Sequence, residues 1–314
     1  MNPNIGHAWR HRCGTRYLCP IKTFLAVALA LPWLCMSACA LEPPASAAAA
    51  LQARHIELQA QLRTNTFGES LYLSSREGSN RLEGDVYAEV THPVAEITAT
   101  FRSANRVCEL LFLHLNVRGC QPAGTSDNAA LTLSVGPKRA LAAGKIYHIT
   151  YALRVEAADA AYFRATLSAA QGPLSTRDYR IVFEAMPIGG SRSFVHFSYA
   201  YGYGTMAKIA MRMYLATAGR SKIGFTVTGQ SPDGRPLYVG GERGSLERNV
   251  MRYYLALLAY SSVNTGSPQE KMEKRMRKWF ALTERYPAQL HELDLDEYLQ
   301  EKQADLARAA AGHQ

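Results

Sequence analysis

Three tyrosines stand two apart in one apolar run, Tyr199, Tyr201 and Tyr203, and their type and spacing suggest chemistry. Side chains alternate along an extended backbone, so Val195, Phe197 and these tyrosines share one face. His196, Ser198, Ala200 and Gly202 share the other. Such a ladder offers apolar walls tipped with hydroxyls that can orient a buried ligand. It equally suits ordinary cross-strand packing. His196 is a candidate base or a structural histidine. Asp85 and Glu89 share a strand face and are a candidate acid–base pair, against the plainer reading of solvated carboxylates. His114, between Leu113 and Leu115, reads as packed.

Arg243, Arg248 and Arg252 follow one another with Glu247 among them, placed by helical geometry to pair with Arg243 or Arg252. The group reads as a salt-bridged helix face or as a site for an anionic headgroup. Gly240 and Gly241 precede it but lack the spacing of a phosphate loop. No nucleophile elbow, zinc-protease helix or Cys/His catalytic signature is present. Cys108, His114 and Cys120 include no C-x-x-C pair, so neither a metal site nor a cofactor is expected.

Several elements must position these residues. Leu51–Leu62 has the apolar spacing of a short amphipathic helix. Leu71–Ser75 and Leu82–Val90 flank a Gly/Ser/Asn turn and read as a hairpin. Helices are expected over Val94–Ser103 and Val107–Val117. Strand alternation then runs through Leu131–Val135, Tyr147–Val155, Tyr162–Ala169, Tyr179–Met186 and Phe194–Gly204, which implies an antiparallel sheet. A helix is expected over Thr205–Ala218, and short strands over Ile223–Thr228 and Pro236–Gly240. Glu242–Val263 is a long helix with Leu246, Val250, Tyr253, Leu257 and Tyr260 as its apolar stripe. Charged helices follow over Gln269–Tyr286 and Leu290–Ala311. The first sets Lys271, Lys274, Arg275, Arg277 and Lys278 against Met272, Met276, Trp279 and Phe280. That pattern suits a membrane surface or docking on its own domain.

In this element order, and in the segments GDVYAEVTHP (84–93), SFVHFSYAYGYG (193–204) and RNVMRYY (248–254), the chain resembles the START-like superfamily. That superfamily holds lipid-transfer domains, polyketide cyclases and exported bacterial members. The resemblance covers residues 68–264 and departs from the minimal pattern at the Thr205–Ala218 insertion and after residue 266. It implies an α+β helix-grip fold, a curved antiparallel sheet gripping a long amphipathic helix, with extra C-terminal helices. It also implies a cavity between sheet and helix for a lipid or aromatic molecule. Tyr199, Tyr201, Tyr203, Val250, Tyr253 and Leu257 would line that cavity. The protein would then be a carrier or sensor without covalent chemistry. A cyclase- or hydrolase-like enzyme on the same fold and a structural protein of the envelope are the other expectations.

The N-terminus alters the charge arithmetic. The 314 residues carry 35 basic and 26 acidic side chains, a net of +9, with six cysteines. Residues 1–22 hold Arg10, Arg12, Arg16 and Lys22 and no acidic residue, and an apolar run from Thr23 to Leu34 follows. Small residues then lead to Ala40, the pattern of a secretory signal peptide over 1–40. Pro32 interrupts a stretch that otherwise approaches the length of a retained anchor. Ala38–Ala40 fits cleavage before Leu41, whereas Met36–Cys39 resembles a lipobox that would leave Cys39 lipidated. Cleavage leaves 31 basic against 26 acidic residues, a net of +5, with Cys108 and Cys120 beyond Cys39. Those two, twelve positions apart with a turn at Gly119, are expected to form a disulfide, two buried thiols being the alternative. Residues 41–67 read as a linker and short helix, 68–264 as the domain and 265–314 as a helical extension. The expected location is the periplasm. The expected partner is a hydrophobic small molecule or lipid, with a membrane surface as a second candidate and nucleic acid excluded.

Overall fold

Alternation is clearest in Tyr147–Ala158, where Ile149, Tyr151 and Leu153 are buried and His148, Thr150 and Ala152 exposed. The computed structural model describes residues 44–125, 128–139, 146–205, 207–209, 213 and 219–311. The segment read as a signal peptide, Cys39 within it, and most of the expected helix at 205–218 lie outside the described residues.

Two helices, α1 (Pro44–Glu57) and α2 (Gln59–Arg63), precede the hairpin β1 (Leu71–Glu77) and β2 (Arg81–Val90). Helices α3 (Val94–Phe101) and α4 (Ala104–Phe112) follow. Next come β3 (Val117–Thr125), β4 (Asn128–Val135), β5 (Tyr147–Ala158), β6 (Phe163–Gln171), β7 (Thr176–Pro187) and β8 (Ser193–Tyr203). All eight strands form one sheet in the order β1-β2-β8-β7-β6-β5-β4-β3. Every neighbouring pair is antiparallel. The last strand thus returns beside the first hairpin.

The long helix α5 (Gly241–Ser261) lies on the sheet. Gly84 marks where it seats. A Cβ there would lie 3.2 Å from the Leu246 side chain and 3.4 Å from that of Val250, so the absence of a side chain lets both pack closely on β2. The arrangement is the expected α+β helix-grip. The core fills the space between sheet and helix, with α3 and α4 joining it through Ile97, Phe101, Leu110 and Leu111.

The C-terminal helices are part of the same packing. Helix α6 (Pro268–Thr283) begins with a Ser267–Glu270 capping box and Pro268 in its first turn. Met276 and Trp279 are each 2% exposed, and the Trp279 indole N–H donates to the Arg252 carbonyl at 3.0 Å. The apolar side of the basic helix is therefore docked on its own domain. The short α7 (Pro287–Leu290) and α8 (Leu295–Ala311) follow, where one continuous helix was expected. The Tyr298 hydroxyl donates to the Leu113 carbonyl at 2.8 Å and anchors α8. No helix among the described residues is long and apolar enough to cross a membrane.

Other expectations need correction. The first part of the segment read as a linker and short helix, residues 41–67, is helical from Pro44, where α1 begins, and Ala47 and Leu51 are buried against Tyr162, Met186 and Phe194. Alanine carries the highest helix propensity, so the Ala-rich run helps form α1. The helix expected to reach Val117 ends at Phe112, and β3 starts at Val117. The strands expected at 223–228 and 236–240 form a separate two-stranded ribbon, β9 (Val227–Gln230) with β10 (Pro236–Tyr238). Cys108 on α4 and Cys120 on β3 are joined as a disulfide, their Cα atoms 5.3 Å apart.

Candidate functional site

The tyrosine ladder faces α5 across a cavity of about 460 Å3. Tyr199, Tyr201 and Tyr203 project from β8 and Tyr179 from β7. Their rings form one aromatic surface. Tyr179 stacks on Tyr201 with centroids 5.4 Å apart, and Tyr199 lies 5.6 Å from Tyr201. A bulge in β7 shapes the rim. Arg180 pairs with Ala200, but Arg177 pairs with Gly202, so one extra residue is accommodated between them. Thr176 thereby falls opposite Tyr203, and its hydroxyl accepts from the Tyr179 hydroxyl at 2.7 Å. Leu174, Ser175 and Asp178 in this turn all have positive φ, between 52° and 64°. Left-handed non-glycine residues are uncommon, and of these three Leu174 lines the cavity.

The helix wall is polar. Glu242, Ser245, Asn249 and Arg252 recur at spacings of three and four on one face of α5, with Arg248 beside them. Sequence reasoning placed the apolar stripe on the cavity. That stripe is instead spent on the sheet: Val250 and Leu257 are 0% and 3% exposed within the core. Tyr253 lies behind the wall, its ring 4.6 Å from His114 and 6.1 Å from both Phe197 and Tyr199. Of the six candidate ligand residues, the three tyrosines of β8 line the cavity and the three of α5 lie in the core behind it.

Asn116, Lys138 and Glu292 complete the wall. Glu292 faces three cations. Lys222 Nζ is 2.8 Å away, Arg252 Nη2 3.2 Å, and Lys138 pairs with it as well. Burial alone would raise this carboxyl, but hydrogen bonds from Lys138 and Lys222 and the charge of Arg252 hold it at about 2. No signal in the sequence joined Glu292 to Arg252, forty positions away. His114 is buried, as expected. Its Nδ1 accepts from the Asn116 backbone N–H at 3.1 Å, so Nε2 donates to Asn249 Oδ1 at 2.9 Å. Burial, then Arg252 and Lys302, keep the imidazole well below its usual pKa, so it stays neutral. Burial raises the Tyr199 phenol well above its ordinary value, and the nearby Tyr151 and Tyr179 add to this. The ladder therefore presents neutral hydroxyls.

Glu247 does not serve as a salt-bridge partner in the expected way. Arg243 Nη2 is 3.9 Å off. The buried carboxylate instead accepts from the Phe225 and Thr226 backbone N–H groups at 2.6 and 2.9 Å, and from the Thr226 and Ser75 hydroxyls at 2.7 and 2.5 Å. It fastens α5 to β1 and to the segment before β9.

The outer face of the sheet carries a second polar cluster. His196 lies opposite the tyrosines, as alternation required, between Asp85 at 2.9 Å and Glu184 at 2.7 Å. Glu184 also accepts from the Tyr162 hydroxyl and from Arg164 Nη1 at 2.8 Å. Asp85 and Glu89 do not pair. Glu89 meets His55 at 2.8 Å and Arg192. His196 hydrogen-bonds both carboxylates directly, so the cluster is a charge network holding β2, β8 and β7 together, and it forms part of the floor of a polar pocket of about 230 Å3 on this face.

No family model matches the chain, and no curated protein matches it. Solved structures similar to it include human StAR-related lipid transfer protein 5, at 13% identity over 55% of this chain and 90% of that one, with a TM-score of 0.31. The Zhui aromatase/cyclase from a Streptomyces species is 12% identical over 65% of this chain and 95% of that one, TM-score 0.34. Norcoclaurine synthase from Thalictrum flavum is 13% identical over 46% and 76%, TM-score 0.28. Superpositions this loose carry no functional information, and the site is judged on its own geometry.

Proposed function

We propose that the chain binds a lipid or aromatic small molecule in the cavity between the β8 tyrosines and α5, as a carrier or sensor without covalent chemistry. The observation that carries this reading is the cavity itself. Its 460 Å3 falls within the range of about 300–1,000 Å3 typical of small-molecule sites. One wall is aromatic, with hydroxyls that stay protonated, and the other holds a few fixed polar groups. An enzyme on this fold would need a proton donor and acceptor facing each other inside the cavity. Glu292, held at about 2 by its cations, is too weak a base, and the raised tyrosine phenols too weak as acids, to exchange a proton near neutral pH, which favours binding over proton transfer. Organic extraction and native mass spectrometry of the purified protein, with titration of the neutral dye Nile red, test the reading. A co-purifying lipid or saturable dye uptake abolished by Tyr201→Arg supports it. A protein that retains nothing and takes up no dye overturns it.

An exported, periplasmic setting belongs to the same proposal. The basic-then-apolar N-terminus and the Cys108–Cys120 disulfide support it. Intact mass of the processed protein separates the two fates. A chain beginning at Leu41 is a free periplasmic protein, an acylated Cys39 is a membrane-attached lipoprotein, and an unprocessed Met1 removes the export reading.

A further inference from the structure

The polar pocket on the outer face of the sheet has a distinct chemistry. Strand parity puts Ser198 and Ala200 of β8 on this face, between Arg81, Glu83 and Asp85 of β2 and Arg180 and Val182 of β7. Small side chains on the middle strand leave the pocket of about 230 Å3 above them. Its carboxylates are engaged. Glu83 pairs with Arg76 at 2.9 Å, Asp85 with His196 at 2.9 Å, and Glu184 with both His196 and Arg164. Arg81 and Arg180 line the pocket without an acidic partner among the described residues. The floor carries free hydrogen-bonding groups. Ser198 is 8% exposed, and its hydroxyl opens on the pocket with no partner among the described residues. Directly opposite it in the register, Asp85 is 7% exposed and spends Oδ1 on His196, which leaves Oδ2 as an acceptor.

From this geometry we infer that the outer pocket binds a polyhydroxylated anion of monosaccharide size, a sugar acid or sugar phosphate, its hydroxyls on Ser198 and Asp85 and its charge between Arg81 and Arg180. On the floor the serine hydroxyl donates and the carboxylate oxygen accepts, and a ligand hydroxyl does the converse at each. An apolar ligand would leave both groups unmet, which is costly for buried polar atoms. A bare anion would meet the Asp85 carboxylate at close range and be repelled by it. Hydroxyls over the floor, with the charge held away from Asp85, satisfy both conditions. His196 is charged between its two carboxylates and offsets them, so the pocket presents the charge of its two arginines. They stand on the strands either side of β8, and a ligand seated on Ser198 lies between them. A planar fork of donors matches carboxylate and phosphate oxygens alike. The pocket is independent of the hydrophobic-ligand reading, because the tyrosine ladder projects from the opposite face of β8.

Isothermal titration calorimetry of the purified protein at low salt, with D-glucuronate, glucose 6-phosphate, D-glucose and inorganic phosphate, tests the inference. At least one charged sugar is expected to bind saturably, about tenfold or more tighter than glucose or inorganic phosphate, the scale of one charge-assisted contact. The tighter of the two tells whether the charge is a carboxylate or a phosphate. Arg81 and Arg180 are exposed, so Arg81→Gln and Arg180→Gln are expected to leave the fold intact. Each is expected to bring the charged sugars down toward the affinity of glucose. Ser198→Ala is expected to weaken charged and neutral sugars alike by about threefold to tenfold, the scale of one hydrogen bond. Nile red uptake should be unchanged in all three variants. Glucose binding as tightly as the charged sugars, or charged sugars unaffected by both arginine variants, overturns the anionic assignment. Inorganic phosphate binding as tightly as the charged sugars overturns the hydroxyl assignment. Absence of binding by all four overturns the site and leaves the tyrosine cavity to its own test.

Discussion

His196 Nε2 lies 2.9 Å from Asp85 Oδ1 on the outer face of the sheet. The other ring nitrogen lies 2.7 Å from Glu184, and Tyr87 stacks on the ring with centroids 4.2 Å apart. Both nitrogens face carboxylates, which is the environment of an imidazolium. Burial would lower the His196 pKa, but the hydrogen bonds and charges of Asp85 and Glu184 outweigh it and raise it above 6.5. Burial would raise Glu184, but His196, Tyr162 and Arg164 together bring it below 4.5.

The network should therefore stabilise the fold in a bounded pH window. A raised histidine contributes fully below 6.5 and loses its contribution as pH climbs through the raised value. A lowered glutamate contributes above 4.5 and loses its contribution as pH falls through the lowered value. His196→Gln is expected to cost about 3 kcal/mol inside that window, the order seen when a buried pair loses one partner. The cost should shrink on the alkaline side. Urea unfolding of both proteins across pH checks it, and a pH-independent difference would contradict the charged state assigned to His196.

Glu247 should matter more than its neighbouring arginines. It accepts four hydrogen bonds, two of them from the backbone of Phe225 and Thr226. Glu247→Ala leaves those buried donors without their acceptor and is expected to cost about 3–5 kcal/mol. Arg243→Ala removes a half-buried hydrogen bond to the Ser75 hydroxyl at 3.1 Å and a long contact to Glu247, and is expected to cost about 1 kcal/mol. Chemical denaturation ranks the two; comparable losses would show that α5 is not held through Glu247.

The β6–β7 turn offers a stabilising change. Leu174 adopts φ 55° while 46% exposed, so it gains little packing for a conformation its side chain disfavours. Leu174→Asn is expected to raise stability by about 0.5–1 kcal/mol, since asparagine enters the left-handed region readily. Thermal unfolding measures the gain. A loss instead would mean that Leu174 packs usefully at the cavity rim.

Much of this architecture was legible locally. Period-two alternation found β5 to β8 and assigned the correct face to Tyr199, Tyr201 and Tyr203, because a strand's two faces follow parity alone. The misses have physical causes. Strand β3 is broken in composition by Gly119, Pro122 and Gly124, and its pairing with β4, not its own propensity, makes it a strand. On α5, periodicity identified the apolar stripe but could not say that the sheet would cover it. The polar stripe through Ser245, Asn249 and Arg252 was left to face the cavity. Glu247 was given salt-bridge partners from its own helix. Its actual partners, Phe225, Thr226 and Ser75, are distant in sequence, and helical geometry holds no information about them.

The buried lysine of α8 gives a pH dependence of the opposite sense to His196. Lys302 is 1% exposed, and its Nζ donates to the His114 and Val117 carbonyls at 2.8 and 2.7 Å. It ties α8 to the segment between α4 and β3, the same segment that carries His114 and Asn116. Burial brings its pKa down to about 7, with Asp305 pulling upward and Arg118 adding to the fall. The unfolded chain returns it to 10.5, so between these values the unfolded state binds the extra proton. Stability should therefore rise with pH across that interval, with a slope approaching about 1.4 kcal/mol per pH unit for one proton. Lys302→Met keeps the stem in the packing and removes the titration. Compared by urea unfolding at mildly alkaline pH values, the native protein is expected to gain stability relative to the variant as pH rises. A constant difference would place the Lys302 proton on the folded protein throughout, and the two carbonyls would then be binding an ammonium rather than an amine.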